Sequence, residues 1–187
     1  MKRIIILASG SGSNAENIIT YFKENPVVEV SAVLTNKNTA KVLERCERLK
    51  VPAFFFNKVA FAHSNTVVQL LKSLNPDIIV LAGFLWKVPT NIIEAFPTQI
   101  INIHPALLPK YGGKGMYGAK VHQAVKENAE TETGITIHYV NEHYDDGAVI
   151  FQAKTAVEPS DDADTIAEKV HQLEYEHFPK VIEKLLN

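Results

Sequence analysis

Apolar residues follow two rhythms along this chain, and the rhythms alternate. Residues 3–8 read as a strand, and the unbroken aliphatic run after Arg3 is the mark of one buried on both faces in a parallel sheet. Residues 9–13 form a tight glycine–serine loop. From Asn14 the apolar positions Ala15, Ile18, Ile19 and Phe22 recur at helical spacing until Asn25-Pro26 breaks the pattern. The alternation then repeats: a strand over 27–34, a helix over 39–49 with Val42, Leu43 and Cys46 inward, and a short strand over 51–56. A helix over 65–74 through Val67, Leu70 and Leu71 leads to a buried strand over 78–82. A short helix is expected over 89–96, a strand over 99–104, and a helix within 117–128 carrying Ala119, Val121, His122 and Val125.

After residue 130 the period drops to two. Thr136, His138 and Val140 alternate with Ile135, Ile137 and Tyr139, and residues 148–157 make a second such run. Asp145-Asp146-Gly147 lies between them, so a hairpin-like antiparallel pair is expected. A long helix over 164–186 closes the chain, with N-capping acids within 160–164. The pattern predicts an α/β fold: a Rossmann-like three-layer α/β/α arrangement, a mostly parallel central sheet and a late antiparallel strand pair. No repeat or linker divides it, so one domain over 1–187 is expected, with halves at about 1–100 and 101–187.

Composition narrows the function more than the fold. With 187 residues, 46% of them hydrophobic, the chain can bury one sizeable core. The net charge is −2 with the signs interspersed, which argues against a nucleic-acid face. The single cysteine, Cys46, excludes an intrachain disulfide and fits a reducing compartment. The apolar run after Lys2-Arg3 is too short for a signal peptide, and no stretch has the length of a membrane span. A cytoplasmic protein with neither nucleic acid nor membrane as partner is expected, as a monomer or homodimer.

Two places carry candidate chemistry. Gly10-Ser11-Gly12-Ser13-Asn14 joins a strand to a helix, so outward backbone amides and a helix N-terminus could hold an anion, most simply a phosphate. A purely structural turn is the alternative. The pattern satisfies a relaxed G-x-G-x-x-A dinucleotide fingerprint, but the second strand ends Leu34-Thr35-Asn36-Lys37 without the acid that would hold a ribose. NAD is disfavoured, NADP beside Lys37 is a weak remainder, and no G-K-[ST] makes it a P-loop. A phosphate monoester fits best.

The second place is the end of the strand over 99–104. Asn102 and His104 are two apart, so on a strand they share a side. With Asp145 from the late turn they form an amide, an imidazole and a carboxylate, a set suited to acyl transfer. Asn and a protonated His could stabilise an oxyanion, and Asp could raise the pKa of the His and pass protons through water. No serine or cysteine lies in a nucleophile context, so a substrate amine would attack directly. The alternative is that Asn102 and His104 only cap a strand end, and that Asp145-Asp146 is a plain turn. His138 lies on a strand and could face the site or solvent. His63, His122, His143, His171 and His177 lack metal-ligand spacing, so no metal is expected.

These residues carry a resemblance. Residues 10–14, Leu81-Ala82-Gly83-Phe84, Asn102 through Tyr111 in Asn-Ile-His-Pro-Ala-Leu-Leu-Pro-Lys-Tyr, and 134–147 resemble the phosphoribosylglycinamide formyltransferase family over almost the whole chain. The resemblance implies transfer of a formyl group from 10-formyltetrahydrofolate, as co-substrate rather than tightly bound cofactor, to glycinamide ribonucleotide in purine synthesis. It assigns the phosphate to Gly12, Ser13 and Asn14, and catalysis to Asn102, His104 and Asp145. Glu174, with His171, Gln172 and Leu173, would contact the glycinamide substrate. The folate would lie along Leu85, Trp86, Lys87 and Val88, Asn102, and Asn141, Glu142, His143, Tyr144 and Asp145. In this picture the first half holds the nucleotide phosphate, and the second holds the folate and the catalytic residues.

The chain departs from the family pattern in three places. The segment after Phe84 is one residue shorter, with Trp86 where arginine is common. A glycine-rich insert spans 113–118, a mobile lid or a rigid loop of altered shape. Only Lys58 is basic over 54–65, where the family has a folate-side arginine. Two other activities use the same blocks. A formyltetrahydrofolate hydrolase would use the trio with water and would carry an extra N-terminal domain. A methionyl-tRNA formyltransferase would carry a C-terminal RNA-binding domain. A non-catalytic nucleotide-phosphate module would be expected to lack a member of the trio, yet all three are present.

Overall fold

The computed structural model describes all 187 residues. In chain order the elements are β1 (Lys2–Leu7), α1 (Ser13–Phe22), β2 (Val28–Thr35), α2 (Val42–Leu49), β3 (Ala53–Phe55), α3 (Lys58–Ala62) and α4 (Thr66–Leu74). They continue with β4 (Ile78–Leu81), α5 (Thr90–Ala95), β5 (Ile100–His104), α6 (Ala119–Glu127), β6 (Glu132–Tyr139), β7 (Val149–Ala156) and α7 (Ala163–Leu186). The strands form one mostly parallel sheet in the order β3-β2-β1-β4-β5-β6-β7. β1 pairs in parallel with β2 and β4, β2 pairs in parallel with β3, and β6 pairs antiparallel with β7. The α/β architecture with a late antiparallel pair is the one the apolar rhythm predicts.

The chain divides into two compact units, Met1–Ile101 with Lys184–Asn187, and Asn102–Glu183. In the first, β1 lies between two parallel neighbours, which is why Ile4, Ile5 and Ile6 are wholly buried. Helix α1 buries Ala15, Ile18, Ile19 and Phe22, the stripe its spacing dictates. Helix α2 is shorter than the expected 39–49. The Ala40 amide closes a turn on the Lys37 carbonyl, and the Val42 amide is spent on the Gly10 carbonyl (3.3 Å). Helix α3 was not foreseen. Asn57 caps it, accepting from the Ala60 amide (2.9 Å), and it buries Phe61 among Phe56, Phe84 and Trp86.

In the second unit β6 is buried on both faces from Thr133 to His138, so its period-two pattern does not mark a solvent side. The β6–β7 ladder shifts register between Ile137 and His138. Beyond it Gly147 passes so close to β6 that a Cβ there would lie 1.7 Å from the Tyr139 carbonyl oxygen. That approach sets where the loop carrying Asp145 leaves the ladder. Helix α7 begins at an Asp162 cap, whose Oδ1 accepts from the Thr165 amide (2.8 Å).

Candidate active site

His104, the last residue of β5, is 3% exposed. Its Nε2 lies 2.7 Å from the Tyr111 carbonyl oxygen. A carbonyl only accepts, so Nε2 carries a hydrogen and donates it. The remaining nitrogen, Nδ1, faces Asp145 Oδ2 at 3.5 Å. Tyr111 reaches His104 with its backbone because it adopts a left-handed conformation, φ 57°. Its phenol holds that turn by donating to Glu130 Oε1 (2.9 Å), which Lys110 also contacts (2.9 Å).

Asp145 is pinned from several sides. It too is left-handed (φ 53°), and its Oδ2 accepts from the Gly113 amide at 2.9 Å. Asn102, two residues before His104 on β5, places Nδ2 3.4 Å from Asp145 Oδ1 and 3.1 Å from His138 Nε2. His138 Nδ1 lies 2.9 Å from the Tyr139 carbonyl and donates to it. The Asp145 carboxylate only accepts, which turns the NH2 group of Asn102 toward it. His138 Nε2 is also 3.7 Å from Asp145 Oδ1.

The electrostatics of this cluster differ from the sequence expectation in one respect. The Asp145 charge and the Tyr111 hydrogen bond do raise the His104 pKa. Burial outweighs them, and the net direction is down. His104 is thus not held protonated at rest. For Asp145, burial by itself would raise the pKa. The His138 contact, the His104 charge and the Gly113 amide together more than offset it, and the carboxyl titrates below the usual carboxylate range.

The structure brings Asn102, His104 and Asp145 together, and it adds His138, the Tyr111 carbonyl and the Gly113 amide. His138 had a sequence signal, a histidine on a strand between Ile137 and Tyr139. The two backbone groups had none. The 113–118 insert begins at the amide that holds Asp145, and glycines 113, 115 and 118 all take positive φ.

The other expected residues are placed as follows. Gly12 (φ 73°) precedes α1, with Ser13 and Asn14 in its first turn. The loop is braced by α2: Arg45 Nε donates to the Ser11 carbonyl (2.7 Å), and Arg45 and Arg48 both pair with Glu16 of α1. Leu85 and Lys87 are exposed, whereas the Val88 side chain is buried. The Leu85 amide donates to Ser9 Oγ (2.9 Å), and Trp86 joins the aromatic cluster of Phe56, Phe61 and Phe84. Asn141 closes a local turn by accepting from the His143 amide (2.9 Å), while Glu142, His143 and Tyr144 are exposed. On α7, Glu174 is buried at 6% exposure, Leu173 is half-buried and Gln172 is exposed. His171 packs edge-on against His122 of α6, with ring centroids 6.3 Å apart.

An amide, an imidazole and a carboxylate in mutual reach, with no side-chain nucleophile among them, suit proton handling around an acyl carbon. Known proteins point the same way. Residues 2–182 match the formyl transferase family. A phosphoribosylglycinamide formyltransferase of Bacillus subtilis is 36% identical over 100% of this chain and 95% of its own length. A chloroplastic phosphoribosylglycinamide formyltransferase of Arabidopsis thaliana is 35% identical over 97% of this chain and 64% of its own. Among solved structures, glycinamide ribonucleotide transformylase 1 of Geobacillus kaustophilus superposes with a TM-score of 0.90 at 34% identity, covering 100% of both chains. The chain belongs to the formyl transferase family and, within it, to the phosphoribosylglycinamide formyltransferases.

Proposed function

We propose that this chain transfers the formyl group of 10-formyltetrahydrofolate to the amine of glycinamide ribonucleotide, giving formylglycinamide ribonucleotide and tetrahydrofolate in purine synthesis. The observation that carries the reading is the cluster of Asn102, His104 and Asp145 with no serine or cysteine in it. The substrate amine attacks the formyl carbon, and the carbonyl electron pair moves onto oxygen. Asn102 exchanges its long contact with Asp145 for one to that oxyanion. His104 enters neutral, with Nε2–H on Tyr111, so its Nδ1 becomes a donor only after gaining a proton. That proton comes from the attacking amine, and Asp145 shares it. It then passes to the folate N10 as the carbon–N10 bond breaks and the electron pair stays on nitrogen.

Gly12, Ser13 and Asn14 take the ribonucleotide phosphate. His171, Gln172, Leu173 and Glu174 take the glycinamide part. The 85–88 and 141–145 segments take the folate, partly through backbone. The formyl donor serves as a co-substrate, not a tightly bound cofactor. The partners are small molecules, not nucleic acid or membrane, and the protein is a cytoplasmic monomer or homodimer. Cys46 is free and buried, and no helix is long and apolar enough to cross a membrane.

Purified protein given both substrates should release tetrahydrofolate, read from the folate absorbance change. Release that runs equally fast without glycinamide ribonucleotide would replace this reading with a formyltetrahydrofolate hydrolase.

A further inference from the structure

The residue that follows β2 is an anomaly. Asn36 is 6% exposed, and neither its Nδ2 nor its Oδ1 has a hydrogen-bond partner. Each buried polar group left in that state costs on the order of 1–3 kcal/mol, so such a side chain needs an explanation. Its neighbours are satisfied among themselves: Thr35 Oγ1 lies 3.3 Å from the Lys37 amide and 3.4 Å from the Lys37 carbonyl.

The backbone places Asn36 beside the glycine loop. Leu7 is paired with Leu34, and the Ala8 amide donates to the Leu34 carbonyl (3.0 Å). Farther along, the Val42 amide donates to the Gly10 carbonyl (3.3 Å), and Val42 packs against Gly12 so closely that a Cβ there would meet its Cγ2 at 2.3 Å. Asn36 therefore lies in a segment tied on both sides to residues 8–12, next to the N-terminus of the ten-residue helix α1. A buried primary amide offers a donor to a phosphate oxygen, which only accepts. Its own oxygen can take a hydrogen from a water carried with the phosphate.

We propose that Asn36 is a further binding residue of the glycine loop, its Nδ2 donating to a phosphate-monoester oxygen of the substrate. The proposal rests on the reading of Gly12 to Asn14 as a phosphate site. It accounts for the buried amide: the hydrogen bonds missing in the free protein are made to the ligand.

Steady-state kinetics against glycinamide ribonucleotide, with thermal melting of the free proteins, test it. Asn36→Leu should melt at or above the wild-type temperature, keep kcat within a few fold, and raise KM about 10-fold or more, the scale of one lost hydrogen bond to a charged group. Asn36→Asp, which sets a carboxylate against the phosphate, should raise KM further. In ¹⁵N-labelled wild-type protein the Asn36 side-chain NH2 resonances should shift on addition of inorganic phosphate, a readout that needs no variant to fold. KM unchanged within twofold in both variants, or NH2 resonances unmoved by phosphate, would overturn the assignment. Gly12→Ala separates the two ideas. If it raises KM while the Asn36 variants do not, Asn36 alone is wrong; if it too leaves KM unchanged, the phosphate reading of the loop falls.

Discussion

The two units hold their candidate chemistry by different means. In Met1–Ile101 the candidate group is backbone, the amides around Gly12, shaped by sterics and braced by Val42 and Arg45. In Asn102–Glu183 it is side chains, held by hydrogen bonds around two buried imidazoles, His104 and His138, with Asn102 and Asp145 half-buried beside them. A backbone site does not titrate, and it tolerates any pH at which the fold survives. A buried imidazole and a half-buried carboxylate owe their protonation to their surroundings, so that site is tuned and also fragile. The first region should therefore fail by shape and the second by charge.

The largest effect expected is on the second region. Asp145→Asn keeps an oxygen for the Gly113 amide and nearly the same volume, but loses the charge and the proton site. We expect kcat to fall by roughly 10²–10⁴-fold, the span of a positioned proton-transfer group, with KM for glycinamide ribonucleotide nearly unchanged. Near-wild-type turnover would remove Asp145 from the proton path.

Next comes His122 of α6, 3% exposed with its Nδ1 unpartnered. Burial, then His171, then His104 push its pKa down to about 4. A base whose folded pKa is lowered leaves stability intact above the unfolded value of 6.5 and loses it as pH falls from there toward 4, because only the unfolded state gains the proton. That window amounts to roughly 3 kcal/mol at about 1.4 kcal/mol per pH unit. His104, also lowered, acts in the same direction. Denaturant titrations at a series of pH values should show His122→Leu with a flatter slope over this window and no loss at neutral pH. An unchanged slope would show that the ring is not desolvated as its burial implies.

Most of the architecture was legible because an aliphatic run such as 4–8 and a stripe such as Ala15, Ile18, Ile19 and Phe22 each have one physical solution. What escaped was what side-chain identity does not encode. Helix α3 depends on an Asn57 cap and five residues with weak periodicity. The start of α2 moved because a backbone bond to Gly10 took the Val42 amide. In the site, Asn102, His104 and Asp145 stand out as polar residues at chain features, while the Tyr111 carbonyl and the Gly113 amide are invisible in a sequence. The net direction of the His104 pKa was missed for the same reason: it is a balance between burial and a neighbouring charge, and sequence shows only the neighbour.

On the first region, a Cβ at Gly12 would lie 2.3 to 2.9 Å from Val42 atoms, and φ there is +73°. Gly12→Ala must displace the loop or α2, at a cost of about 1–3 kcal/mol for a strained backbone position. That should appear as a roughly 5- to 150-fold rise in KM for glycinamide ribonucleotide, the same at pH 6 and pH 8. A loss confined to kcat, or one that varies with pH, would show that the loop is coupled to the titrating groups and would blur the contrast between the regions.

The smallest effect tests where the second region borrows the device of the first. Tyr111 holds His104 with a backbone carbonyl on a left-handed turn, and the turn is anchored by a phenol on Glu130. Tyr111→Phe leaves the ring, the turn and the carbonyl, and removes only the anchoring hydrogen bond, worth about 1 kcal/mol. If the carbonyl is positioned chiefly by the local chain, kcat should fall no more than two- to threefold while the melting temperature drops by a few degrees. A loss in kcat approaching that of Asp145→Asn would mean that the carbonyl is placed through Glu130. The imidazole would then owe its tautomer to a side-chain network reaching the surface, where Lys110 also meets Glu130. In that case even the backbone contact of the second region is held by charge, and the contrast between the two units is complete.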